Sequence, residues 1–216
     1  VRDGLFGMGL PFPKSAPETL SRFCALLLER NKVMNLTAIR QPEDVARLHF
    51  LDCAGVLLAQ IPDGARVLDV GTGAGFPGLV LKILRPGLRM TLLDSQRKRV
   101  DFLAECVSAL GLTDVDCVCA RAEEYTETGR DRFDLSVSRA VAQLSVLCEL
   151  CLPFVRPGGR FISTLSKGDS QVDVSDLREY SQRLDTKNAL LTTAYHWQKD
   201  ACAGENASMG FMSKPR

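Results

Sequence analysis

Twelve residues, Val67–Gly78 (VLDVGTGAGFPG), constrain the chain more than any other stretch. Apolar residues run straight into a glycine-rich turn, and a second apolar run, Leu79–Leu84, follows at once. That pattern predicts a buried parallel strand, a tight turn and a helix. Glycines let the backbone turn sharply and approach a ligand closely, because no Cβ intervenes. The helix after such a turn aims its free N–H groups at whatever occupies it. The spacing is Gly71-x-Gly73-x-Gly75, with Phe76 where the dinucleotide fingerprint G-x-G-x-x-G requires glycine. The turn therefore suits a nucleoside-type ligand better than a pyrophosphate, which disfavours a nicotinamide-dependent oxidoreductase.

A carboxylate sharpens this reading. Met90–Asp94 reads as the next strand, and Asp94 lies 23 residues after Gly71. This is close to the ~20-residue offset at which an acid reaches a ribose hydroxyl. The plainer alternative is that Asp94 only starts the turn before a helix at Gln96.

Further along, strands are expected near 66–70, 89–94, 115–119, 133–138 and 159–164. Helices are expected near 76–85, 96–110, 121–126 and 143–154. The alternation specifies an α/β fold, a doubly wound and mostly parallel sheet with helices on both faces. A polar helix over 173–187 and a strand over 189–197 complete the expectation, whereas 198–216 make a poor strand with little charge. Ahead of the sheet, Leu20, Phe23, Cys24, Leu27 and Leu28 form a helical stripe opened by Ser15 and Pro17. Pro42–Asp44 starts a further helical stretch reaching Leu58. The chain thus divides into a 1–62 arm and helical block, packed on the core, and a 63–216 Rossmann-like domain. Residues 1–14 read as a loosely held arm.

Composition excludes several functions. The 216 residues carry a formal net charge of +1, so no global basic field gathers nucleic acid, and any such binding needs a local patch. No run approaches ~20 apolar residues, so no membrane span is expected, and no basic-then-apolar leader is visible. The eight cysteines sit mostly in apolar contexts. Cys148-x-x-Cys151 has metal-site spacing but no second pair, so the cysteines read as small buried residues of a cytoplasmic protein with no metal.

Four groups bear charge where a site could form. Arg97, Lys98 and Arg99 oppose the dipole of the helix they start, so they either bind an anion or form a solvated face. Ala122 and Glu123, after strand 3, either border a nucleoside or open an ordinary helix. Arg139 closes strand 4, at the carboxyl end of the sheet, where it clamps a phosphate, donates to a base edge or forms a structural ion pair. His49 and the Asn31–Thr37 stretch offer no choice on chemistry alone.

Several of these segments in order resemble one family. They are Asn31–Ile39 (NKVMNLTAI), His49–Asp52 (HFLD), Leu68–Gly78, Leu93–Arg99 (LDSQRKR), Arg121–Glu123 (RAE) and Phe133–Ala140 (FDLSVSRA). Together, over roughly residues 15–168, they resemble the RsmG (glucose-inhibited division protein B) family of bacterial small-subunit rRNA guanine-N7 methyltransferases. The resemblance implies S-adenosylmethionine as methyl donor and 16S ribosomal RNA, or the small subunit, as partner. It implies donor contacts at Gly71, Thr72, Gly73, Ala74, Gly75 and Phe76, with Asp94 and Ser95 at the ribose and Ala122 and Glu123 at the adenine. Arg139 would line the transfer site, and Lys167 after strand 5 is a second catalytic candidate, slightly displaced from the family's pattern. A cytoplasmic monomer with no protein partner is expected. The alternatives are a donor-binding homologue impaired in transfer that only binds RNA, and a methyltransferase of another substrate.

Overall fold

The computed structural model of the chain describes residues 1–139, 144–164, 190–192 and 210–213. A short helix α1 (Arg2–Gly7) precedes the long α2 (Ala16–Met34). The first segment is not loose: Leu5 and Leu10 are buried, and Gly4 sits so close to Leu51 that a Cβ there would lie 2.5 Å from its Cδ1. α2 buries Leu20, Phe23, Cys24 and Leu27, the stripe set by its 3.6-residue period. It stops at Asn35, whose left-handed backbone (φ 50°) a short polar side chain tolerates.

The next helical stretch changes pitch three times. α3 (Pro42–Val45) passes into a π-helical turn (Ala46–Leu51), then α4 (Asp52–Ala54), then a 3-10 turn (Gly55–Ala59). The wide turn carries His49 and Phe50.

The sheet follows. Its strands are β1 (Arg66–Val70), β2 (Arg89–Asp94), β3 (Val115–Cys119), β4 (Phe133–Arg139), β5 (Val155–Thr164), β6 (Leu190–Thr192) and β7 (Gly210–Ser213). The spatial order is β3-β2-β1-β4-β5-β7-β6. β1 to β5 are parallel, with Val67 level with Met90 on one side and Leu135 on the other. β7 is antiparallel and lies between β5 and β6. The order reverses at β1, so the crevice between the carboxyl ends of β1 and β4 is the switch point. The stretch 198–216, read above as a poor strand, thus supplies β7. Pairing with an existing strand gives the backbone bonds that weak local propensity does not. Of the expected helix 173–187 and strand 189–197, only Leu190–Thr192 falls among the described residues.

Linking helices are α5 (Gly78–Leu84), α6 (Arg97–Leu110), α7 (Ala122–Gly129) and α8 (Leu144–Cys151). Alternate strand residues divide between two layers, as the period of two demands. Val67, Met90, Leu92 and Val137 join a cluster with α2, α5, α6 and the His49 stretch. Leu68, Val70, Leu93 and Phe161 join the cluster that includes Leu147, Cys148 and Cys151 of α8. The N-terminal helices and the sheet therefore share one hydrophobic layer. No helix among the described residues is long and apolar enough to cross a membrane.

Candidate active site

β1 delivers the chain to the switch point, and the turn that follows is fastened at both ends by carboxylates. Gly73 (φ 58°) gives its N–H to Asp94 Oδ2 at 3.0 Å, and Gly78 gives its N–H to Asp69 Oδ2 at 2.7 Å. Asp94 is 3 % exposed, and its Oδ1 accepts the Gln96 N–H at 2.9 Å. It therefore starts the turn before α6 and also faces the glycine turn. Arg99 Nη1 stands 3.4 Å from Asp94 Oδ2, so one of the three helix-start cations balances the acid, while Arg97 and Lys98 are exposed.

Asp69 is fully buried, and its Oδ1 lacks a hydrogen-bond partner. Burial pushes its pKa up to about 7, against the nearby Thr72 hydroxyl, the Gly78 N–H and the charge of Arg139.

The other wall is built on Arg139, at the carboxyl end of β4. Its guanidinium carbon lies 4.6 Å from the centre of the Phe76 ring, a cation–π contact. Phe76 in turn packs on Phe23, Phe50 and His49. Nη2 of Arg139 donates to His49 Nδ1 at 3.1 Å, and Nη1 approaches Asp52 Oδ2 at 3.4 Å and Cys53 Sγ at 3.5 Å. An arginine nitrogen only donates, so His49 Nδ1 accepts and the ring proton resides on Nε2, 2.9 Å from Thr37 Oγ1. Thr37 is fixed by Asn31, which exchanges two hydrogen bonds with its backbone at 2.8 and 2.9 Å. Burial, then the charge of Arg139, lower the His49 pKa to about 4, so the ring is neutral at pH 7. Burial raises Asp52, opposed by Arg139.

These walls enclose a cleft of about 390 Å³. It is lined by Leu36, Thr37 and His49 of the helical block, Gly71–Ala74 and Phe76 of the turn, Asp94, Ser95 and Arg99 from the β2–α6 junction, and Arg139. The sequence candidates Gly71, Thr72, Gly73, Ala74, Phe76, Asp94, Ser95 and Arg139 are thus brought together. Gly75 is absent from the wall; a Cβ there would lie 2.5 Å from Leu79 Cδ1, so it seats the turn on α5. Ala122 and Glu123 start α7 beyond β3 and do not line the cleft, and exposed Glu123 lies 3.7 Å from Arg121. Lys167 lies outside the described residues. Residue chemistry alone did not single out Thr37, His49 or Asp52, whose only signal was their place in the family-like segments, and it offered Arg99 only as one of three cations at a helix start. Among the described residues no cluster of His, Cys, Asp or Glu could hold a metal ion.

Solved structures share this architecture. A methyltransferase from Methanococcus maripaludis, described as S-adenosyl-L-methionine-dependent, superposes with a TM-score of 0.60 at 11% identity, covering 91% of this chain and 94% of that one. A SAM-dependent methyltransferase from Aquifex aeolicus gives 0.52 at 18% identity, covering 78% and 92%. Sheet order, glycine turn and cleft define a Rossmann-like α/β fold of the kind these methyltransferases share.

Sequence relatives narrow it. Ribosomal RNA small subunit methyltransferase G of Alkaliphilus metalliredigens is 47% identical over 165 residues, 75% of this chain and 69% of that protein. The protein of the same name from Moorella thermoacetica is 47% identical over 152 residues, 69% and 63% respectively. The chain thus spans about two thirds of the length of these curated relatives. The family model for GidB, rRNA small subunit methyltransferase G, matches residues 16–199, and the chain belongs to that family.

Proposed function

We propose that the cleft binds S-adenosylmethionine and that the protein directs methyl transfer to N7 of a guanine in 16S ribosomal RNA. The observation that carries the reading is the glycine turn fixed to Asp94 in the same cleft as Arg139 and Phe76. The residues fit the donor. A Cβ built on Gly73 would meet nothing nearer than Gly71 O at 3.9 Å, so the backbone is open to a ligand at that point. The volume lies within the ~300–1,000 Å³ of small-molecule sites. Asp94 has lone pairs beyond its two backbone bonds with which to accept ribose hydroxyls.

When bound, the donor supplies an electrophilic methyl group on a sulfonium. Guanine N7 carries a free lone pair, so no general base has to create the nucleophile. The protein's task is to align and hold the two partners, for which about 7 kcal/mol or more is available. Gly71–Gly73 and Asp94 would fix the donor, and Phe76 and Arg139 form the wall against which the base would be oriented. The target base has to be unpaired or extruded to reach the cleft, which favours an RNA loop. Cys24, Cys53, Cys106, Cys117, Cys119 and Cys151 carry free thiols, which supports a reducing compartment such as the cytoplasm.

The test is transfer of label from S-adenosylmethionine to small-subunit RNA lacking the modification, offered free and as the subunit, with the product identified by mass spectrometry. Appearance of 7-methylguanine is expected. Donor binding without transfer would favour the impaired RNA-binding reading. In parallel, Asp94→Ala should weaken donor binding by about 1–3 kcal/mol through loss of a charged hydrogen bond. Equal wild-type affinity for the donor and a deoxyribose analogue would remove Asp94 from the ribose.

A further inference from the structure

We propose that His49 is a positioning residue that, with Asp52, holds Arg139 against Phe76 and keeps its donor fork off guanine N7. The proposal rests on the reading of the cleft given above and extends it to the helical block. The difficulty it addresses is chemical. The commonest contact of an arginine with guanine is a bidentate pair to O6 and N7. A hydrogen bond to N7 occupies the lone pair that must attack the methyl group. A guanine-N7 transferase with an arginine in its reaction cleft therefore gains from restraining that arginine.

The structure contains such a restraint. Both terminal nitrogens of Arg139 already have partners from the helical block, Nη2 in His49 Nδ1 and Nη1 in Asp52 and Cys53. The guanidinium carbon lies over the Phe76 ring, and the Arg139 side chain is 15 % exposed. Its charge stays beside the cleft while its terminal nitrogens are held by the helical block.

His49 performs this role only with an unprotonated Nδ1, and the surroundings fix that tautomer. The Nε2 proton points to Thr37 Oγ1, which also accepts the Ile39 N–H at 3.1 Å. Asn31 holds Thr37 from α2. A chain of hydrogen bonds thus runs from α2 through Thr37 and His49 to Arg139. Sub-ångström placement matters here, because about 1 Å of misalignment can cost ~100-fold in rate.

Two substitutions separate the acceptor from the ring. His49→Phe keeps an aromatic ring against Phe76 but offers Arg139 no acceptor. His49→Gln supplies a carbonyl oxygen that can accept from Nη2. The expected result for His49→Phe is a kcat lowered on the order of 10- to 100-fold, with donor Kd and RNA KM near wild type. His49→Gln should recover most of that loss. A His49→Phe enzyme with wild-type kcat, or a His49→Gln enzyme as impaired as His49→Phe, would overturn the proposal. Nitrogen NMR of the histidine-labelled wild type gives a readout independent of turnover. His49 is expected as the neutral Nε2–H tautomer at pH 7, and a protonated Nδ1 would sink the proposal even if the Phe variant did not fold. Wild-type protein that makes no 7-methylguanine but shows the Nε2–H tautomer would instead refute the methylation reading and leave the His49–Arg139 arrangement standing.

Discussion

Asp69 and Asp94 are both acids at the ends of neighbouring strands, and both fasten the glycine turn, yet burial sets them apart. Asp94 meets the cleft, whereas Asp69 is sealed beneath it with one oxygen unpartnered. The Asp69 pKa rises from 3.8 to about 7, so the folded protein holds a proton there that the unfolded chain has released. Its contribution to stability is full below about pH 4 and is lost as pH rises towards about pH 7. His49 acts in the opposite sense: with a folded pKa of about 4 against 6.5, its contribution is full above 6.5 and is lost as pH falls through 4. The two partly cancel below neutrality, so each must be isolated by substitution. In Asp69→Asn the carbonyl can still accept from Gly78, and the amide can donate to the neighbouring Thr72 hydroxyl. Relative to wild type, this variant should gain stability as pH rises from about 4 to about 7, measured by urea unfolding. Parallel curves across that range would show that burial does not hold the Asp69 proton. Neither pKa was legible in the sequence, since LDVG and HFLD look alike whether buried or exposed.

Local pattern decided most elements, and tertiary contact corrected the rest. β1 to β4 fall where alternation of strand and helix placed them, because each is a short apolar run between turn residues. α5 begins at Gly78 rather than at Phe76, because the Gly75 and Phe76 N–H groups are drawn back to Thr72 O by the turn. The π-helical turn at Ala46–Leu51 was invisible, since a 3.6-residue period fits apolar positions there almost as well. α5 shows how closely the turn motif is tied to packing. All seven of its residues are buried, and Lys82 satisfies its ammonium on the Pro86 and Leu88 carbonyls at 2.6 and 2.5 Å. A Cβ on Gly78 would lie 2.3 Å from Leu92 Cδ2 and 2.7 Å from Asp69 Oδ2. Gly78→Ala should therefore destabilise the protein by about 1–3 kcal/mol through overpacking, although alanine gains ~1 kcal/mol over glycine in helix propensity. Thermal or urea unfolding measures this, and a more stable variant would show that α5 moves freely off the sheet.

At the scale of the molecule, the helical block supplies part of the cleft wall through Leu36, Thr37 and His49. Phe23 of α2 lies 5.7 Å from Phe50 and 5.6 Å from Phe76, ring centre to ring centre, joining block, π-turn and glycine turn. If block and sheet unfold as one unit, Phe23→Ala should cost about 3–5 kcal/mol and speed hydrogen exchange in α2 and β1 alike. Faster exchange confined to α2 would make residues 1–62 a separate cooperative unit. The sequence by itself determined what is encoded within short spans: the strand–turn–helix at Val67–Leu84, the acid at the next strand end, the alternation that forces a parallel sheet, and Arg139 at the end of β4. Backbone sterics, hydropathy period and strand ends fix these over a few residues each. Only the tertiary structure decided which side chains meet Arg139. His49 reaches it from 90 residues away and Asp52 from 87. No local rule specifies such a pairing, because it exists only once β4 has paired with β1 and the helical block has closed over the carboxyl ends of both.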